Sequence, residues 1–96
     1  MITSKQRAYL RGLANTLPAL YQIGKNGIDN TLIKSLSEAL EAKELVKVHV
    51  LETAGETAKS LCNQLAEILN AEPVQAIGSK FVLYRESENK KQIELK

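Results

Sequence analysis

Leu10, Leu13, Ala14 and Leu17 recur at three- and four-residue spacing, which marks one apolar side of a helix. The spacing predicts a first helix from about Ser4 to Thr16. Thr3 is placed to cap its start, with Gln6 three residues on as the reciprocal partner. Arg7 and Arg11 are four apart and share a flank. Lys5, Ala8, Gly12 and Asn15 occupy the opposite side. Gly12 weakens the helix interior by about 1 kcal/mol relative to Ala; a close approach by another backbone would explain it, but the sequence does not establish one. Pro18 ends the helix.

Beyond Pro18 the pattern alternates between the two periods. Ala19 to Ile23 reads as a short strand, with Ala19, Tyr21 and Ile23 on one face. The tetrapeptide Gly24-Lys25-Asn26-Gly27 follows. A second helix is predicted from about Asp29 to Lys43, with Asp29 as its N-cap and Leu32, Ile33, Leu36, Ala39 and Leu40 as its apolar side. Leu45 to Leu51 is the clearest strand. Val46, Val48 and Val50 point one way and Lys47 and His49 the other. A third helix is predicted over about Thr53 to Leu69. After Pro73, Val74–Ile77 and Lys80–Arg85 read as two strands joined by a tight turn at Gly78-Ser79. The tail from Glu86 is charged and reads as loose, with Ile93 and Leu95 as the residues able to dock.

The predicted order is α-β-α-β-α-β-β. Strands alternating with helices indicate βαβ units, and the final hairpin closes a mixed sheet. The expected fold is therefore a single compact α/β domain over 1–96, with a four-stranded mixed sheet and packed helices. The order of strands within the sheet does not follow from the pattern.

Composition changes this picture little: 44% hydrophobic and 25% charged residues are ordinary for a globular domain. No apolar run has the length of a membrane span, and the N-terminus is followed by no signal-peptide core. The expectation is a cytoplasmic protein that does not enter a membrane. Cys62 has no second cysteine to pair with, and no Cys/His cluster has zinc spacing. Neither a metal nor a cofactor is expected, and nothing requires more than a monomer.

Charge distribution is more informative than its total of +2. Residues 1–28 hold Lys5, Arg7, Arg11 and Lys25 and no acid, whereas the remainder holds nine basic and eleven acidic residues. Such asymmetry suggests a polyanionic partner for the N-terminal part.

The Gly24–Gly27 segment gives that partner a place to bind. It lies between the end of a strand and the start of a helix. First-turn amides there lack intrahelical partners, and the aligned peptide dipoles add partial positive charge. Such a terminus accepts anions. Gly24 and Gly27 admit close approach of a phosphodiester backbone and permit positive φ. Lys25 adds a cation, and Asn26 a polar donor. A bare G-x-x-G is also the pattern of a plain strand-to-helix turn. The acid-free segment and the Arg7/Arg11 flank, if the first helix packs beside the second, favour the RNA-binding reading.

Other candidates carry less. Gly78-Ser79-Lys80 is similar to part of a phosphate-binding P-loop, but Pro73 stands where the first glycine is required. Lys80 reads first as a solvated turn lysine and second as support for RNA binding from the hairpin tip. His49 has no nucleophile or carboxylate placed to work with it, and Cys62 belongs to an apolar stripe. Tyr9, Tyr21 and Tyr84 are too few for a stacking platform. No catalytic set is present, so the chain does not read as an enzyme.

The run Gln22-Ile23-Gly24-Lys25-Asn26-Gly27-Ile28 resembles the signature loop of the CRM domain, named for chloroplast RNA splicing and ribosome maturation. Leu10-Arg11-Gly12-Leu13-Ala14 resembles its first helix. Lys43-Glu44-Leu45-Val46-Lys47-Val48 resembles the segment entering its second strand, and Ile77-Gly78 with Val82-Leu83-Tyr84-Arg85 its closing hairpin. The resemblance covers nearly the whole chain and is closest to the stand-alone bacterial, YhbY-like type. It implies a fold similar to the C-terminal domain of translation initiation factor three. It also implies RNA binding through Gly24, Lys25, Asn26 and Gly27, with Arg7, Arg11 and Lys5 as basic surround. The RNA implied is ribosomal, in precursors of the large subunit. One departure is Ala42-Lys43 before Glu44, where members often carry a histidine.

Two other readings compete. A KH-type module also uses a G-x-x-G loop, but between two helices, so a helical Ala19–Ile23 would favour it. A protein-interaction module would dock through the sheet face around Lys47 and His49.

Overall fold

Caps and turns set most of the element boundaries. The computed structural model describes residues 2–95; Met1 and Lys96, the ends of the expected domain, lie outside the described residues. The first helix, α1 (Ser4–Ala14), starts at the Thr3 capping box, with Gln6 and Thr3 exchanging side-chain-to-amide bonds of 3.1 and 2.9 Å. It ends two residues before the predicted limit, where the Asn15 amide turns back to Gly12 O. Strand β1 is only Tyr21–Ile23. Ala19 and Leu20 fall outside its three paired positions, and Leu20 stays exposed. The second helix, α2 (Asn30–Lys43), is capped by Asp29 as expected, and β2 (Leu45–Val50) follows at once.

The third helix departs most from its prediction. Residues 52–54 form a single 3-10 turn, and Gly55 then takes φ +73°. That left-handed residue breaks the run, so α3 (Ala58–Leu69) starts only after Thr57, whose hydroxyl accepts from the Ser60 amide. Strand β3 (Glu72–Ile77) begins earlier than predicted and includes Pro73, with a bulge between Pro73 and Gln75. Proline is tolerated because β3 is an edge strand. Strand β4 (Lys80–Tyr84) completes the hairpin.

The sheet order is β1-β2-β4-β3. β1 and β2 are parallel and joined across α2, whereas β2–β4 and β4–β3 are antiparallel. The expected mixed α/β sheet is thus present, in three layers. Alternation along the strands decides which side each helix covers. Val46, Val48, Val50, Phe81 and Leu83 face α2 and α3, packing against Leu36, Leu40, Leu61 and Leu65. Leu45, Val82 and Tyr84 point the other way, onto Leu10 and Ala14 of α1. Each fully buried side chain of this size contributes about 1.5–3 kcal/mol. A Cβ built on Gly12 meets nothing within 4 Å, so no neighbouring backbone explains that glycine.

The tail reads as loose, yet the structure pins it. Glu44 has no exposed surface and takes φ +67°, a left-handed position that ordinarily favours glycine. Its carboxylate accepts from the amides of Ser87, Gln92 and Ile93. Glu41 accepts from the Ser87 hydroxyl and the Glu88 and Asn89 amides. Ile93 and Leu95 then pack against the α1 side of the core.

Candidate nucleic-acid interface

The Gly24–Gly27 segment forms one tight turn, closed by the Gly27 amide donating to Gly24 O at 2.9 Å. The two glycines serve different ends. Gly27 has φ +61° and open space around its Cα, so backbone geometry is what requires it. A Cβ on Gly24 would lie 3.3 Å from both the Leu51 Cδ1 and Thr53 Oγ1 atoms. Gly24 therefore admits the protein's own β2 exit, and only Gly27 leaves open room outside. Lys25 and Asn26, at the crest between them, are exposed.

The turn borders an open cleft of about 420 Å³ between β1 and the start of α2, lined among others by Gln22, Asp29, Thr31 and Ser35. The first turn of α2 is only partly available to a ligand. The Leu32 amide already donates to Asp29 Oδ1 at 2.8 Å, and the Ile33 amide to Asp29 O. Asn30 and Thr31 precede these, and by helix geometry their amides have no intrahelical acceptor. Lys25 and Asp29 are the charged residues of the lining, so one positive and one negative group meet there. The N-cap reading of Asp29 was open to sequence inspection. The fold sets its carboxylate in the same cleft as Lys25.

The basic surround expected from α1 is not at this corner. α1 lies on the opposite sheet face from α2, so the Arg7/Arg11 flank does not pack beside the second helix. Arg7 Nε donates to Pro73 O at 3.1 Å. Pro73 pairs with Leu83, which pairs with Val46, whereas the loop leaves the sheet at Ile23, opposite Val50. That anchor is three strand spacings (about 14 Å) across and roughly 13 Å along the sheet from the loop. Lys5 and Arg11 are exposed on the same helix. The structure thus brings Gly24, Lys25, Asn26 and Gly27 together and places Lys5, Arg7 and Arg11 on α1, across the sheet from α2.

A larger cleft, about 690 Å³, lies at the other end of α2 and carries Glu38, Glu41, Glu86 and Glu88 against Arg85 and Lys90. Its sign is wrong for a polyanion. Burial pushes the Cys62 thiol up to about 11, which keeps it protonated and unreactive at neutral pH. Among the described residues no helix is long and apolar enough to cross a membrane. The segment before the turn is a strand, which separates this loop from the helix-to-helix loop of KH modules.

Comparison with known proteins agrees with these features. The model of the CRS1/YhbY (CRM) domain matches residues 2–85. A Bacillus subtilis protein named "Probable RNA-binding protein YqeI" is 43% identical over 95 residues, covering 99% of both chains. A Haemophilus influenzae protein named "RNA-binding protein" is 36% identical over 90 residues, covering 94% of this chain and 91% of its own. The solution structure of SAV1595 from Staphylococcus aureus, described as a candidate RNA-binding protein, superposes with a TM-score of 0.79 at 44% identity, each chain covered completely. With that domain model matching residues 2–85, and relatives 43% and 36% identical over nearly the whole length, the chain belongs to the CRS1/YhbY (CRM) domain family.

Proposed function

We propose that this protein binds structured RNA, and that ribosomal RNA of the large-subunit precursor is its target, with no chemical step of its own. The observation that carries this is the exposed turn itself. Lys25 and Asn26 stand at the crest of a backbone loop closed by a left-handed Gly27, next to two α2 amides without an intrahelical acceptor. Such a site grips a phosphodiester linkage through main-chain donors and one ammonium. The relatives that carry RNA-binding names support the same reading.

The test is a fluorescence-anisotropy titration of the full chain against large-subunit ribosomal RNA fragments and, for comparison, small-subunit RNA. Lys25→Glu is expected to weaken binding at least tenfold, because it replaces a phosphate partner with a repelling charge, while leaving the thermal unfolding midpoint in place. Equal affinity for wild type and Lys25→Glu rejects the loop as the contact. Equal affinity for both subunits' RNA rejects the assignment to the large subunit.

A further inference from the structure

The loop cleft pairs one lysine with one aspartate, and α1 keeps its cations elsewhere, so a polyanion needs positive charge from another source. The sheet supplies it. Two bonds gather separate loops at the same end. The Leu51 amide donates to Ile23 O at 2.8 Å, and the Val50 amide to Ser79 O at 2.6 Å. The Gly24–Gly27 turn and the Gly78–Ser79 turn therefore flank the exit of β2, one on each side. Each turn contains a glycine with positive φ, +61° at Gly27 and +60° at Gly78, and each carries an exposed lysine, Lys25 or Lys80.

Register joins the two turns across one face. Gln22 pairs with His49, His49 with Lys80, and Lys80 with Ile77. Directly paired residues project to the same side, so these four form a row across all four strands. Lys47 stands two residues below His49 on that side. α1 packs on Leu45, Val82 and Tyr84 of the same face, so Lys47 borders α1 through its partner Val82 and the Gln22–Ile77 row lies just beyond. Gln22 and Lys80 are exposed, and Lys47 and His49 are half-buried. Neither the row nor Lys47's own row, with Val82 and Gln75, contains a carboxylate. Glu52, in the 3-10 turn after β2, is the acidic neighbour in sequence. Gln22, on the edge strand β1, also lines the loop cleft, so cleft and row meet at that edge.

We infer that this row is the second half of the RNA interface: the strand leaves the Gly24–Gly27 turn at Gln22, crosses His49, and meets Lys80 and Lys47 with its phosphates. The inference rests on the proposed RNA binding and adds residues to it. Gln22 to Lys80 is two strand spacings, about 10 Å, so the two lysine-bearing turns serve separate phosphates of one backbone.

The test measures the salt dependence of ribosomal RNA affinity for the full chain and four variants: Lys25→Gln, Lys80→Gln, Lys47→Gln and Lys90→Gln. Each phosphate contact removed lowers the slope of log affinity against log salt by about 0.7–0.9. Lys80→Gln and Lys47→Gln are expected to reduce the slope by that amount and affinity about threefold to tenfold at moderate salt. Lys80→Arg should retain both, and Lys90→Gln, in the acidic cleft at the far end of α2, should change neither. Wild-type slopes for Lys80→Gln and Lys47→Gln, with a reduced slope for Lys25→Gln, overturn this inference and leave the loop reading intact. Unchanged slopes in all three overturn the proposed function as well. If these two variants bind RNA normally but lose a protein partner that survives nuclease treatment, the face belongs to a protein and the inference fails.

Discussion

At the N-terminal end of α2, the backbone donors of Asn30 and Thr31 stand beside the exposed Gly24–Gly27 turn, with Lys25 and a single carboxylate, Asp29, in the cleft. At its C-terminal end, the amides of Ser87, Glu88, Asn89, Gln92 and Ile93 are already taken by Glu41 and Glu44. Both corners are clusters of main-chain N–H groups facing negative charge. In one the anion is built into the chain, and the result is a closed structural clamp. In the other the Asp29 carboxylate and carbonyl take the Leu32 and Ile33 amides and leave those of Asn30 and Thr31 without an intrahelical acceptor, and the result is a surface able to accept an external anion. A cluster of backbone donors is therefore not evidence of a ligand until the protein's own carboxylates have been placed against it.

The largest expected effect comes from opening the closed corner. Glu44→Ala removes three bonds to an ionised acceptor and releases the tail into water, with a loss of about 2–3 kcal/mol, read from urea unfolding. Affinity for RNA should not change, because the clamp lies at the other end of α2. Equal loss of stability and RNA binding would mean that the two corners are not independent.

Acid should open the same clamp without mutation. For Glu44, burial works to raise the pKa, but the amides of Ser87, Ile93 and Gln92 outweigh it and hold the carboxyl below its ordinary 4.5. The Ser87 hydroxyl, with the Glu88 and Asn89 amides, holds Glu41 down as well. Folded values below the unfolded one mean that this stability is complete above 4.5 and is lost as pH falls through the depressed values. Hydrogen exchange of the Gln92 and Ile93 amides should accelerate over that window. In Glu44→Ala they should exchange fast at every pH.

Next in size is the turn. Gly27→Ala places a Cβ on a left-handed residue and should cost about 1–2 kcal/mol, with RNA affinity falling as the turn reshapes. Gly24→Ala should cost less, since the ends of the Leu51 and Thr53 side chains, at 3.3 Å, need give only slightly. The reverse order, measured by thermal unfolding of the two variants, would show that the close approach and not the φ angle governs this loop.

The smallest effect sharpens the comparison most. Asp29→Asn keeps the N-cap and removes the cleft's negative charge. RNA affinity should rise roughly twofold to threefold, in line with a few tenths of a kcal/mol for an exposed charge. Unchanged affinity would place the phosphates away from the helix start.

Much of this was readable beforehand wherever the cause lies within a few residues. The Thr3–Gln6 box, the Asp29 cap and the valine alternation of β2 depend on near neighbours, and each is present where the pattern puts it. Glycine at position 27 before a capped helix likewise signals a turn. Gly55 was the missed local cue: a glycine between Ala54 and Glu56 splits what the apolar stripe makes look like one helix. Glu44 left a fainter sign, a glutamate at the end of a helix that runs straight into a strand, where glycine is the usual occupant.

The amino-acid sequence determined the element types, their order, the caps and the turn that carries Lys25, because all of these are fixed by interactions between residues close along the chain. The tertiary structure alone decided that β4 lies between β2 and β3 and that α1 covers the face away from α2. It alone sent Arg7 to Pro73, and Glu44 to amides 43 to 49 residues later. A period of two says that a strand has two faces but not which neighbour it pairs with or which helix reaches it. Those choices are made by burial summed over the whole sheet, and they decide which cations stand together.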